Sequence, residues 1–300
     1  MGTIEQASKR LEQLGRAGVG VPWSDTANAG AAQQTAQPAV LAGSLQEVVP
    51  RPAPLAEPRQ RVELDLAALT RAGYLVPGGG RSRLMDELRG IKRPLLSNAV
   101  GGRNREAVPR GNLILITSSL PGEGKSFLSL NLALSLAMQP DHRVLLVDAD
   151  CTRRALTERL GLDQTRPGLV DLLADKGMDL ADVELATNVD RLSVLPAGST
   201  HDMVSELFGS QQMVDWLNRL AAQPVQRIVV FDAPPLLHAV EASVLAPQMG
   251  QVVLTVQAGR TPRGSVQHAL GLLEECPVVL TVLNQARTPS PSSPYGYYAY

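Results

Sequence analysis

Leu113-Ile114-Leu115-Ile116-Thr117 runs directly into Ser118-Ser119-Leu120-Pro121-Gly122-Glu123-Gly124-Lys125-Ser126, and an apolar stretch from Phe127 to Met138 follows. The first five residues are apolar or β-branched without alternation, which predicts a strand buried on both faces. The next nine are a Gly-rich loop closing on Lys-Ser, and the apolar stretch predicts a helix over Ser126 to Met138. Strand, Gly-rich loop and helix in that order form a P-loop. Gly122 and Gly124 let the backbone curl so that successive N–H groups face phosphate oxygens. Lys125 is expected to reach the β- and γ-phosphates, and Ser126 to offer its hydroxyl to Mg²⁺. The positive end of the helix lies at the anion. Ser119 stands where the first glycine of this pattern usually stands. The ligand set predicted for ATP is Ser119, Pro121, Gly122, Glu123, Gly124, Lys125, Ser126 and Phe127.

Further strands are predicted at Val144–Val147, Leu192–Leu195, Ile228–Phe231, Val252–Val256 and Val278–Leu283, with helix-like segments between them. This alternation predicts a doubly wound α/β fold around a mostly parallel sheet. Two of the strands end on carboxylates. Val144–Val147 leads into Asp148-Ala149-Asp150, and Ile228–Phe231 leads into Asp232-Ala233-Pro234-Pro235. The carboxyl ends of parallel strands are where open α/β sheets bind ligands. Asp232 reads as a Walker B residue on Mg²⁺, and Asp150 as a second metal-site carboxylate. Asp148 is expected as the base that takes a nucleophile's proton. The competing reading makes each Asp an N-cap of the next helix. Arg153 and Arg154 are either stabilisers of a transferring phosphate or a solvated pair.

Outside this region the chain of 300 residues changes character. Ile4, Ala7, Leu11 and Leu14 fall at helical spacing over residues 1–18. Residues 19–80 form an Ala/Pro/Gly-rich stretch read as a flexible linker with a short helix near Leu64 to Tyr74. Ser82 to Leu96 is a densely charged helix, with Pro94 as its expected end. The P-loop domain is placed at residues 81–287 and a tail at 288–300. Four of the five tyrosines, Tyr295, Tyr297, Tyr298 and Tyr300, fall in the last six residues, after a Pro/Ser-rich spacer. A tether presenting phenols reads as a phosphoacceptor, each phosphate adding about -1.5 to -2 charges. A partner-binding tail or an end strand are the alternatives.

Composition narrows the class. A net charge of -1 gives no basic excess for nucleic acid, so no nucleic-acid partner is expected. Two cysteines, Cys151 and Cys276, without metal-type spacing, point to a reducing cytoplasm. Residues 1–14 lack the apolar core of a signal peptide, and no run reads as a membrane span.

Taken together, the residues resemble the bacterial tyrosine autokinases of exopolysaccharide export. The resemblance spans about Ser82 to Tyr300. It rests on Ser118–Phe127, Leu145–Asp150, Val230–Leu236 and the tyrosine cluster. It implies ATP and Mg²⁺ as cofactors, with Lys125, Asp148 and Asp150 as catalytic residues. It also implies tail phosphorylation in trans within a ring-like homo-oligomer. Asp86, Arg89 and Lys92 are similar to the family's oligomerisation helix, with lysine where the family has arginine. Asn284 matches the position where related ATPases contact adenine. The N-terminal zone, with Gly73-Tyr74-Leu75, is similar to the subgroup associated with exosortase and PEP-CTERM systems. That subgroup implies an inner-membrane chain-length determinant as activator, recruitment to the inner-membrane face, and a cognate tyrosine phosphatase. Two rivals stand beside this reading. A deviant Walker ATPase would place a lysine where Leu120 stands, and a nucleotide-dependent assembly factor would share the binding parts without transferring phosphate.

Overall fold

A computed structural model describes residues 56–102, 105–223 and 227–286. The helix expected over residues 1–18 and the tail at 288–300 lie outside the described residues. Eight strands form one sheet: β1 Gln60–Val62, β2 Leu113–Ser118, β3 Arg143–Asp148, β4 Leu185–Thr187, β5 Leu192–Leu195, β6 Arg227–Asp232, β7 Gln251–Gln257 and β8 Val279–Asn284. Their spatial order is β1-β4-β5-β3-β6-β2-β7-β8. The six strands from β5 to β8 are mutually parallel. The β4–β5 pair is antiparallel, so the short β1–β4 edge runs the other way.

Alternation along the strands divides the core. Leu113 and Leu115 of β2, with Val229 and Phe231 of β6, face one layer of helices. That layer contains α5 Leu169–Ala174, α6 Leu180–Val183, α7 Val204–Phe208, α8 Gln211–Ala221 and α9 Val240–Leu245. Ile114 and Ile116, with Ile228 and Val230, face the other layer, built on α2 Arg83–Val100, α3 Lys125–Ala137 and α4 Ala155–Arg159. The second layer also takes Leu64, Leu69, Tyr74 and Leu75, which surround the short helix α1 Leu66–Arg71.

Two expectations are corrected. The flexible linker does not extend to residue 80, because β1 pairs with β4 and the segment through Leu75 is pinned to the body. Leu64 and Asn188 exchange two hydrogen bonds of 3.0 and 3.1 Å, and the Leu75 amide donates to Asn131 Oδ1 at 2.7 Å. Pro94 does not end α2, which continues to Val100. The turns beyond it bury Leu95, Asn98 and Ala99, and that burial outweighs the one helical hydrogen bond a proline forgoes.

Candidate active site

The P-loop turns sharply between β2 and α3. Gly122 has φ of +86° and Gly124 of +95°, a region that costs other residues about 1–2 kcal/mol. A Cβ on Gly124 would lie 2.1 Å from Asn284 Nδ2, so the end of β8 presses directly on the loop. Asn284 Nδ2 donates to the Glu123 carbonyl at 2.8 Å. The Glu123 carboxylate is buried. It accepts from the Leu120 amide at 2.8 Å and from the Thr261 hydroxyl, and so ties the loop to the end of β7. Ser119 is fully buried, and its Oγ has no partner among the described residues.

Register across the sheet brings the carboxylates together: Asp148 of β3 pairs opposite Asp232 of β6, which pairs opposite Ile116 of β2. Lys125 Nζ lies 2.7 Å from Asp150 Oδ2 and 3.8 Å from Asp232 Oδ1. Ser129 Oγ donates to the same Asp232 oxygen at 3.0 Å. Asp232 Oδ2 is buried and unpartnered among the described residues, leaving an acceptor free for a metal or its water. Burial raises the Asp232 carboxyl above its ordinary range, with Lys125 opposing. Burial lowers Lys125, but the charges of Asp232, Asp150 and Asp148 outweigh it and hold the ammonium above its usual value. Asp148 sits behind Asp150. Its Oδ2 accepts from Thr157 Oγ1 at 2.7 Å and the Thr157 amide at 2.9 Å, and its Oδ1 from the Asp150 amide at 3.2 Å. Burial pushes Asp148 up to about 7; Asp232 and Asp150 add to this, and Thr157 opposes it.

A cavity of about 480 Å³ opens over this cluster. Its walls include Gly122, Gly124, Lys125, Ser126, Phe127 and Asp150 from the expected set. Pro121 and Asn284 also line it, whereas Ser119, Glu123, Asp148 and Asp232 do not. Arg153, Arg159 and Gln285 line it too. Sequence reading left Arg159 and Gln285 out, since neither sits in a contiguous motif.

The AAA domain family matches residues 111–269, just over half of the chain. The tyrosine-protein kinase YwqD of Bacillus subtilis is 32% identical over 188 residues, covering 62% of this chain and 76% of that protein. The chain belongs to the bacterial tyrosine-protein kinases. The putative tyrosine-protein kinase EpsB of Ralstonia nicotianae is 34% identical over 63% of this chain, and the chain spans a quarter (25%) of EpsB's length. Among solved structures, the chimerical protein CapA2B2 is matched with a TM-score of 0.58 at 25% identity, covering 76% of this chain and 93% of that one. The kinase domain of the Escherichia coli tyrosine kinase ETK shares the fold, with a TM-score of 0.60 at 23% identity over 77% of this chain and 97% of that one.

In this member of the family the three residues expected for oligomerisation lie on α2 but do different things. Arg89 Nη1 meets Asp86 Oδ1 at 2.9 Å on an exposed face. Lys92 instead turns inward and donates to the Ser135 carbonyl of α3 at 2.9 Å. Burial and the nearby Arg89 lower its pKa. The four tail tyrosines, Tyr295, Tyr297, Tyr298 and Tyr300, lie outside the described residues. No described helix is long and apolar enough to cross a membrane.

Proposed function

We propose that this protein is an ATP-dependent protein-tyrosine autokinase that phosphorylates its own tyrosine-rich tail in trans and thereby regulates exopolysaccharide polymerisation and export. The observation that carries the reading is the buried cluster of Lys125, Asp150 and Asp232 at the mouth of the P-loop, in a chain of the tyrosine kinase family. Mg²⁺ fits this donor set. Ser126, Asp150 and Asp232 supply few protein ligands, and no three described His, Cys or carboxylate groups form a metal site alone. Mg²⁺ characteristically takes one or two carboxylates and completes its shell with phosphates and water. When bound, it would neutralise charge on the nucleotide's phosphates.

The chain's own groups do the rest. P-loop amides and Lys125 hold the triphosphate, and for this Lys125 exchanges Asp150 for phosphate oxygens. Asn284 and Gln285, on the β8 side, face the adenine end. In the transfer a tyrosine oxygen bonds to the γ-phosphorus while the bond from that phosphorus to the β–γ bridging oxygen breaks. The phenolic proton passes to the Asp148–Asp150 pair, of which Asp150 is the member facing the cavity. ADP leaves with the released oxygen.

Assembly into a ring-like homo-oligomer is proposed through the exposed Asp86–Arg89 face of α2, with Lys92 acting within the chain. The proposed setting is an exosortase/PEP-CTERM type of system. There an inner-membrane chain-length determinant recruits and activates the kinase, and a tyrosine phosphatase reverses the modification. The test is autophosphorylation with labelled ATP in wild type, Lys125→Met and a variant lacking Tyr295 to Tyr300. Label is expected only in wild type. Label persisting without the tail would overturn tail phosphorylation. Absence of label even with the membrane partner would favour an assembly factor. Arg89→Ala is expected to lower the mass in solution, and an unchanged mass would exclude the α2 face.

A further inference from the structure

We propose that Arg159 is a γ-phosphate-facing residue of this site and that Tyr74 is the positioning residue that holds it there. The inference rests on the nucleotide site described under the proposed function. Arg159 closes α4, the helix that follows β3, and lines the P-loop cavity together with Arg153. Neither arginine forms an ion pair with any described carboxylate. Among the described residues the Arg159 side chain has one hydrogen-bond partner, the Tyr74 hydroxyl, to which Nη1 donates at 2.8 Å. Its charge therefore remains available to an anion in the cavity.

Strand order fixes which anion. β3 and β8 lie on opposite sides of β2, so Asp150 and Arg159 stand at one end of the cavity and Asn284 and Gln285 at the other. A nucleotide with its base at the β8 end presents its terminal phosphate to the β3 end. There, a planar guanidinium that needs no reorganisation is well matched to a phosphoryl group.

Tyr74 makes this wall rigid. It is 7% exposed, and its ring packs on Phe127, a second cavity residue, with centroids 5.1 Å apart. The next residue, Leu75, is tied to Asn131, which in turn donates to the Phe127 carbonyl at 2.8 Å. The Tyr74 side chain thus touches two walls of the nucleotide cavity, Phe127 and Arg159.

The experiment is calorimetric titration with Mg·ATP and Mg·ADP of wild type, Arg159→Gln, Tyr74→Phe and the double variant, with thermal melting alongside. Arg159→Gln is expected to weaken ATP about tenfold, the loss of one charge-assisted hydrogen bond, and to leave ADP nearly unchanged. Tyr74→Phe keeps the ring, should melt like wild type, and should show a smaller loss in the same ATP-selective sense. The double variant should match Arg159→Gln alone, because Tyr74 acts through Arg159. Equal losses for ATP and ADP, additive effects, or an unchanged ATP affinity in Arg159→Gln would each overturn the proposal. Binding and tyrosine labelling are separate readouts, so a wild type that discriminates ATP from ADP yet labels no tyrosine would refute the kinase reading and support the Arg159 assignment.

Discussion

Lys125→Met should destabilise the nucleotide-free protein, in addition to abolishing nucleotide binding. Lys125 is the cation within reach of two carboxylates, Asp150 and Asp232, which are 1% and 0% exposed. At 2.7 and 3.8 Å, and with an effective dielectric near 20, the attractions are about 6 and about 4 kcal/mol before desolvation. Desolvation of the ammonium cancels much of this. Removing one partner of a buried pair nevertheless costs about 3–5 kcal/mol, because the other charge is stranded. For a domain of this size each kcal/mol moves the melting temperature by about 2–4 °C, so a fall of about 10 °C is expected. The assay is thermal denaturation followed by circular dichroism, with chelator present and no nucleotide. Adding Asp150→Asn to Lys125→Met should recover part of the loss, since it removes one stranded carboxylate. A Lys125→Met protein that melts with wild type, or above it, would refute the view that the lysine serves as the cluster's counter-ion before ATP arrives.

Gly124→Ala should weaken ATP binding about tenfold or more while costing only about 1–2 kcal/mol of stability, because φ is +95° and the new methyl must displace Asn284; unchanged binding in a fluorescence titration would contradict the packing of β8 on the loop. Asp171 accepts from the Gly168 and Ser199 amides at 2.8 and 2.9 Å, and although burial raises its carboxyl, these bonds outweigh it and hold the pKa below the ordinary value. Its stabilisation is therefore present above the unfolded pKa near ~3.9 and is lost as pH falls through the lower folded value; Asp171→Ala should cost about 1 kcal/mol at neutral pH, with the difference closing in acid denaturation. Burial raises both thiols, Cys276 to about 11 and Cys151 further, so neither should react quickly with a disulfide reagent near pH ~8 until the protein is denatured; a rapid stoichiometric reaction in the native protein would refute this.

What could be read from the sequence divides along a physical line. The P-loop, Asp148-Ala149-Asp150 and Asp232 are contiguous signatures, in which each residue is required by the backbone or ligand chemistry of its immediate neighbours. Their strands were also legible, because burial on both faces leaves an unbroken apolar run. The three-residue strands β1 and β4 carry no such run and exist because each pairs with a distant partner. Pro94 misled for the same reason: a local rule against proline lost to the burial of Leu95, Asn98 and Ala99 by a helix seated on the sheet. The parts of the site that went unread are side-chain contacts between residues outside any one motif, nine positions apart for Thr157 and Asp148 and far more for the others. Thr157 holds Asp148, Thr261 holds Glu123, and Tyr74 holds Arg159 across 85 positions of sequence. These contacts do not choose the chemistry, which the local motifs set. They fix where the carboxylate, the loop and the guanidinium stand. The supporting residues are therefore where changes should alter affinity or selectivity while leaving the nucleotide-binding motifs intact, and Tyr74→Phe, a change of one oxygen outside the P-loop and both Asp motifs, is the sharpest case.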